Sequence, residues 1–511
     1  MSVLHRRTLL QAMALAGVGT ALKPLALLAS ATPSVRPMPT GKLADWFILH
    51  NDRPWALETR RAAYGIAPIT PQSAFFVRNN LPTPPESIIA NRDGWRFEVS
   101  GVARPGSLTL AELKALPTRV VASVLQCSGN GRAFFPHRPS GSPWSLGAAG
   151  CALWTGVRVA DVLEHFGGAL EEAQYLTATG AEDLPEGVDA DQVVVERSIP
   201  LDKGMDDCLL AWEMNGEPLP LVHGGPLRLI VPGYYGVNNV KWVRRLAPTA
   251  AESGAKIQVS GYRVREVGES GGPQHPSMWR MNVKSWLNGP GGDGGPVVAG
   301  KAMLYGVAFS GERGVSRVEV SADEGQTWRE ADFVGPDLGP NAWRSFVLPV
   351  ELAAGEYRFV SRATDRQGDT QPADATPNHR GYGHNGWRDA ALTVNVVNTL
   401  PAAAEPEPGE SVHQNAVATP TAAVDTPLSP LAREGRAVYL DRAQPACGAC
   451  HTLADAGSAG VTGPNLDVLK PGADRVRLAV EQGVGAMPAF DALLTETEIE
   501  ALAAYVAEAT R

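Results

Sequence analysis

Apolar and polar residues alternate in short bursts along much of the chain. Arg317-Val318-Glu319-Val320-Ser321 alternates strictly, turns at Asp323-Glu324-Gly325 and resumes at Gln326-Thr327-Trp328. Glu356 to Ala363 alternates likewise and runs into a turn over Asp365 to Gly368. Strands at this spacing with Gly- and Asp-rich turns predict an immunoglobulin-like β-sandwich over residues 255–398. Nearer the start, Trp95–Val99 and Arg119–Leu125 read as strands. Leu110–Leu116 reads as a short helix stopped by Pro117, and Val159–Phe166 as another backed by Gly167-Gly168. Residues 40–250 are thus a mixed α/β region. The pattern then changes twice. Residues 399–429 are Pro, Ala, Glu and Thr with almost no large apolar side chain, the composition of a linker. Residues 430–511 carry helical periodicity, with helices predicted at Leu431–Leu440 and Glu496–Ala509. The second of these places Ile499, Leu502, Ala503 and Val506 on one face. The class expected is α+β, ending in a small all-α domain.

Length fits this division, since 511 residues exceed what one core supports. The net charge of -9 argues against a nucleic-acid partner. At the start, His5-Arg6-Arg7-Thr8-Leu9-Leu10-Gln11 is a twin-arginine pattern. An apolar stretch follows, broken by Lys23-Pro24, and Ala29-Ser30-Ala31 offers a cleavage site. Residues 1–31 therefore read as an export signal to the periplasm, by a route that carries folded, cofactor-loaded proteins. No membrane span is expected in the mature protein.

Cys447-Gly448-Ala449-Cys450-His451 is C-x-x-C-H, the attachment site of a c-type haem. The thiols of Cys447 and Cys450 bond the vinyl groups, and His451 supplies an axial nitrogen. A zinc or redox pair is the competing reading. Gly463-Pro464-Asn465-Leu466 and then Met487-Pro488 follow in the order of a small monohaem cytochrome c. Met487 is then the sixth ligand, a thioether that raises the haem potential. Of five cysteines, three remain, too few and too odd in number for a disulfide framework. That leaves one of Cys127, Cys151 and Cys208 free to have a chemical role.

The segment Leu125-Gln126-Cys127-Ser128-Gly129-Asn130-Gly131-Arg132 resembles the molybdenum-cysteine motif of the sulfite oxidase family. Phe76-Val77-Arg78-Asn79-Asn80-Leu81-Pro82 is similar to that family's F-x-R-N-H-x-P segment, with Asn80 where the family has His. Trp212-Glu213-Met214-Asn215-Gly216-Glu217-Pro218-Leu219-Pro220 and His223-Gly224-Gly225-Pro226-Leu227-Arg228 resemble its E-M-N-G block, continued by Val231-Pro232-Gly233 and Val240-Lys241-Trp242. Ser321-Ala322-Asp323-Glu324-Gly325-Gln326-Thr327-Trp328 resembles a hairpin of its dimerisation domain. The match runs in order over about residues 70–398. Gly131 stands where animal members have Arg. With Ser128, this draws the motif toward bacterial sulfite and sulfur dehydrogenases.

The resemblance implies a molybdenum-molybdopterin cofactor with Cys127 as thiolate ligand, a soft donor suited to the metal. It implies an anion pocket of Arg78, Arg132 and Arg380, whose guanidinium forks fit oxyanions. Tyr262 would bond the substrate and couple proton release, and Trp144 would wall the pocket. His223, Arg228 and Lys241 would contact the pterin phosphate, and Asn79 and Asn80 the pterin. The implied activity is oxidation of sulfite to sulfate. Electrons would leave one at a time through the haem to a soluble cytochrome c or similar acceptor, from a homodimer. A dehydrogenase of protein-bound sulfane sulfur, a sulfoxide or oxyanion reductase, and an electron-transfer protein with a dead molybdenum site are the alternatives.

Overall fold

The computed structural model describes residues 37–185, 189–400, 428–484 and 487–511. The proposed export signal and nearly all of the proposed linker lie outside them. Among the described residues no helix is long and apolar enough to cross a membrane.

The strand expected at Arg119–Leu125 runs over Thr118–Gln126 and pairs antiparallel with Ala149–Arg158. Its first three residues are exposed and its last four buried, so the strand dives into the core as it approaches Cys127. Leu209–Met214 pairs with the far edge of Ala149–Arg158, and Arg228–Ile230 pairs with Leu209–Met214. A second five-stranded sheet orders Gly106–Thr109, Arg96–Val99, Val243–Thr249, Tyr175–Gly180 and Glu196–Pro200. Only Arg96–Val99 and Val243–Thr249 run parallel within it. A small three-stranded sheet, Phe47–Asp52, Trp55–Thr59 and Val77–Arg78, brings in Arg78.

Local chemistry sets the helices. Thr109 and Glu112 form a capping box that starts Leu110–Lys114. Val159–His165 ends where Gly167 and Gly168 take positive φ, a conformation that costs other residues energy.

The expected β-sandwich is present. One sheet orders Lys284–Gly289, Gly300–Phe309, Arg344–Leu352 and Asp332–Val334. The other orders Val297–Val298, Leu392–Val397, Gly355–Asp365, Val315–Ser321 and Arg329–Glu330. Leu304, Val318, Phe346, Ala363 and Val394 are buried in the core of this sandwich. The Ser321–Trp328 turn explains its own sequence. Ser321 Oγ accepts from the Asp323 and Gly325 amides, and Asp323 accepts from the Thr327 hydroxyl and then the Thr327 amide, which together lower its carboxyl pKa to about 2. The long connection between Gly355–Asp365 and Leu392–Val397 carries Arg380, Tyr382 and His384 out of the sandwich.

In the C-terminal region the predicted helix at Leu431–Leu440 is Pro430–Ala437, capped by Ser429 and continued to Arg442 with wider hydrogen bonding. Glu496–Ala509 is as expected, with Ile499, Leu502, Ala503 and Val506 buried together. Shorter helices at Cys447–Cys450, Leu466–Leu469 and Ala473–Gln482 lie between them. The domain is helical, with one addition to the all-α expectation: a two-residue hairpin pairs Thr452–Leu453 with Ser458–Ala459.

The first and last helices of this region meet at Gly435, where an added Cβ would overlap the Ala501 carbonyl. Gly435→Ala should therefore cost the domain about 1–3 kcal/mol by overpacking against backbone. Thermal unfolding followed at the haem absorbance would measure it, and an unchanged midpoint would refute the crossing.

Candidate active site

Cys127 leaves the strand Thr118–Gln126 at its buried end. Its amide donates to the Ala148 carbonyl at 2.8 Å, and its carbonyl accepts from the Asn130 amide at 3.0 Å. Cys127 is 9% exposed. The turn that follows is built around Arg132. A side chain at Gly129 or at Gly141 would overlap the Arg132 guanidinium, so both glycines make room for it. Gly131 adopts φ 100°, and a Cβ there would run into the His384 ring. That accounts for the absence of the arginine that animal members carry at this position. The buried Lys284 donates to the Asn130 and His384 carbonyls, at 3.1 and 2.8 Å, tying the cysteine turn to the sandwich.

Two cavities meet at Cys127. The first is lined by Arg78, Asn79, Asn80, Ser128, His223, Arg228, Lys241 and Tyr262, all but Ser128 expected from the sequence. It is a cradle of positive charge. Lys241 donates to the Val222 carbonyl at 2.7 Å and to Asn79. Arg228 donates to the His223 carbonyl at 2.8 Å. Burial first, then the neighbouring Arg228, pushes the Lys241 ammonium far below its usual range. Burial and the cations Lys42, Lys241 and Arg228 do the same to His223.

Lys42 is a member of this cluster that the sequence did not announce. Its ammonium donates to the Phe75 carbonyl at 2.7 Å and to His223 Nε2 at 2.8 Å. Burial lowers it to about 7. Glu182, also unforeseen, puts a buried carboxyl in the cavity, pushed up to about 8 by burial. Its Oε2 and Ser128 Oγ are buried without a hydrogen-bond partner.

Buried cations in excess of counter-charge, with polar atoms left open, fit a bound anion. The donor set therefore suits a pterin phosphate, held by His223, Arg228, Lys241 and Lys42. Cys127 at the neck would be the thiolate ligand of the metal.

The second cavity, about 340 Å³, opens from Cys127 past Arg78, Arg132, Trp144, Tyr262 and Arg380. All five residues expected in the anion pocket line it. Arg132 is 7% exposed, and burial lowers its pKa while Tyr382 opposes that shift. Its Nε donates to the Arg380 carbonyl and its Nη1 to the Ser142 carbonyl, each at 2.9 Å. Arg78 donates to Asn80, whose oxygen also accepts from the Tyr262 hydroxyl at 3.3 Å. Burial raises the Tyr262 pKa, so the phenol keeps its proton. Tyr262 stacks on Tyr382 with centroids 5.2 Å apart. Trp144 is packed edge-on with His50.

Arg380 stands apart from the other two arginines. Its Nη1 donates to the carbonyls of Gln482 and Gly483 in the C-terminal region, at 3.1 and 2.9 Å. Met487 and Asp491 from that region line the same cavity.

The haem site is equally specific. His451 Nδ1 bonds the Pro464 carbonyl at 3.0 Å, which leaves Nε2 free for iron. A Cβ at Gly463 would sit 2.6 Å from the imidazole, so the glycine before Pro464 is required by the ring. Cys447 and Cys450 are unpaired on one short helix. Among the described residues no cluster of three or more Cys, His, Asp or Glu surrounds them, as a zinc site would need. Met487 packs into the same apolar core as Cys447. This donor set fits a c-type haem held by Cys447, Cys450, His451 and Met487.

The cationic cradle has a consequence for the cofactor-free protein. Lys42 binds its proton with a pKa of about 7 when folded and 10.5 when unfolded. Between those values the unfolded chain holds the extra proton, so stability rises with pH. Wild type should gain in thermal midpoint on Lys42→Met as pH rises from 7 to 10. A pH-independent difference would show that the ammonium is not confined among His223, Lys241 and Arg228.

Comparison with known proteins agrees with this geometry. Residues 81–257 match the family described as oxidoreductase molybdopterin binding domain, and residues 275–395 the Mo-co oxidoreductase dimerisation domain. Residues 430–506 match cytochrome C oxidase, cbb3-type, subunit III. The mitochondrial sulfite oxidase of Rattus norvegicus is 34% identical over 369 residues, which is 68% of this chain and 65% of that protein. The sulfite oxidase of Gallus gallus is 36% identical over 340 residues, 62% of this chain and 72% of that protein. The solved sulfane dehydrogenase SoxCD from Paracoccus pantotrophus aligns with a TM-score of 0.57 at 26% identity. It covers 75% of this chain and 96% of its own. The chain thus spans a little under two thirds of the rodent relatives' length, 65%. Its cofactors are molybdenum-molybdopterin and a c-type haem. With Cys127, the cationic cradle and these matches in agreement, the chain belongs to the sulfite oxidase family of molybdopterin oxidoreductases and carries a cytochrome c domain at its C-terminal end.

Proposed function

We propose that this protein is a periplasmic sulfite dehydrogenase whose cytochrome domain is its internal electron acceptor. Sulfite and water give sulfate, two protons and two electrons, and the electrons pass singly through the haem to an external cytochrome c. One observation carries the reading: a single cavity is lined by Cys127, Arg78, Arg132 and Tyr262 on one side and by Met487 on the other.

The chain's own groups suit a small oxyanion. Arg132 is held by two carbonyls, so its remaining N–H groups are aimed rather than free to rotate. Arg78 supplies a second cation, and the protonated Tyr262 can donate to a bound oxygen. Trp144 supplies a buried apolar wall beside them. The bound molybdenum cofactor supplies the oxygen-atom and two-electron chemistry. Methionine ligation raises a haem's potential, which suits receiving electrons and disfavours a reductase.

Export to the periplasm rests on Arg6-Arg7, and dimerisation through residues 255–398 on the family domain matched there. The boundaries at 250, 399 and 430 belong to the same proposal.

A second reading, oxidation of protein-bound sulfane sulfur, has the likeness to SoxCD behind it. Against it, Glu481, Gln482 and Gly483 of the chain's own cytochrome domain line part of this cavity, which favours a small anion over a carrier protein.

Anaerobic mixing of the oxidised protein with sulfite should reduce the haem rapidly. Cys127→Ser should slow this by more than about a hundredfold, since loss of a metal ligand exceeds loss of its supporting contacts. No haem reduction by sulfite, in protein shown to hold molybdenum and haem, would favour the sulfane reading.

A further inference from the structure

Tyr262 is steadied more by its ring than by its hydroxyl. Among the described residues the hydroxyl donates one long bond, to Asn80 Oδ1 at 3.3 Å. A bond of that length holds the phenol loosely, yet a donor that must meet a small anion has to be placed closely. The fold grips the ring instead. Tyr382 stacks on it with centroids 5.2 Å apart and planes inclined by 10°. The Arg197 guanidinium lies over the same ring, 5.8 Å from its centre. The Arg132 guanidinium lies over Tyr382 in turn, at 5.5 Å. Two rings and two cations are thus joined in series, each pair close enough for a ring face to attract a positive charge or another ring.

Both supports of Tyr262 are themselves fixed. The Tyr382 amide donates to Asn378 Oδ1 and its carbonyl accepts from Asn378 Nδ2, each at 2.8 Å. Its hydroxyl donates to the Gly261 carbonyl at 3.2 Å, one residue before Tyr262. Arg197 is 1% exposed and donates to neutral acceptors, the Ile257 carbonyl at 2.7 Å and Asn238 Oδ1 at 3.1 Å. Asn238 is oriented for this, because its amide nitrogen donates to the Tyr235 and Met278 carbonyls. Glu252 pairs with Arg263, and Arg197 Nε is buried without a hydrogen-bond partner. Burial, then the neighbouring Arg263, lowers Arg197 to about 10, which leaves it protonated at neutral pH. A buried guanidinium with no carboxylate is costly, and the electron-rich face of Tyr262 is the negative surface this one meets. Arg132 needs no such help, since the Arg380 and Ser142 carbonyls already hold it. The member of the series that depends on the stack is Tyr262.

We propose that Tyr382 and Arg197 are positioning residues for sulfite oxidation, a brace on the Tyr262 ring that aims its hydroxyl at the bound anion. Each acts through Tyr262. The proposal rests on the reading that sulfite occupies this cavity.

The test uses the full-length holoprotein with Tyr382→Leu, Tyr382→Phe, Arg197→Met and Tyr262→Phe. Fluorotyrosine placed at position 262 should give a narrow fluorine resonance in the otherwise wild-type protein. The line should broaden or split in Tyr382→Leu and in Arg197→Met, and stay narrow in Tyr382→Phe, which keeps the ring. Arg197→Met exchanges an unpaired buried charge for an apolar chain, so it tests the brace even where Tyr382→Leu unsettles the fold. With sulfite, Tyr382→Leu should lower kcat/KM for haem reduction about tenfold, and Tyr382→Phe should recover most of it. In a Tyr262→Phe background, where the hydroxyl is already gone, Tyr382→Leu should cost less than about twofold more. An unaltered line in both Tyr382→Leu and Arg197→Met, or equal losses of kcat/KM with and without the Tyr262 hydroxyl, overturns the brace. The resonance needs no substrate. Failure of sulfite to reduce the wild-type haem would therefore remove the sulfite reading and leave the brace to be decided by the line.

Discussion

A cluster of buried basic groups, with too little counter-charge to keep them all protonated, is the constraint around which the catalytic half is arranged. His223, Arg228 and Lys241 line one cavity with the carboxyl of Glu182, and Lys42 joins them through His223. Desolvation of such a group is expensive, and mutual repulsion adds to it. The surrounding fold must hold the cluster open against both. It does so with main-chain carbonyls of Val222, His223 and Phe75, which accept from the cations without neutralising them. The basic groups stay free of carboxylate partners, so an incoming anionic group can draw protons onto them.

The same device recurs one layer outward. Arg132 is fixed by carbonyls of Arg380 and Ser142, and Arg380 by carbonyls of Gln482 and Gly483. Neutral acceptors orient these guanidinium groups, whereas carboxylates would have cancelled them. The haem end follows different logic. There a carbonyl, that of Pro464, selects the tautomer of His451 rather than aiming a charge.

Much of this was legible in the chain. Cys127 and Arg132 sit in one local turn whose glycines are spaced for the guanidinium, so the motif and the geometry are nearly the same object. The hairpin at Ser321–Trp328 and the haem turn at Cys447–Pro464 are local in the same sense. Lys42 and Glu182 were not legible, because each arrives from a segment with no pattern of its own and acquires meaning only beside His223 and Lys241. Ser128 was inside a quoted motif, but its burial without a partner is a property of the cavity. Tyr382 lay two residues from Arg380 and could have been noticed as a second ring for Tyr262. The partner of Arg380 could not be read from its neighbours, since it is supplied a hundred residues later by another domain.

The connection that leaves the sandwich between Gly355–Asp365 and Leu392–Val397 has a wider meaning. It delivers Arg380, Tyr382 and His384 to the cysteine turn, while Lys284 reaches the same turn from a sandwich strand. The region matched as a dimerisation domain therefore supplies part of the wall of the substrate cavity. Chimaeras within the family would have to exchange the cofactor region and the sandwich as one cassette, and evolution of the two must have proceeded in step.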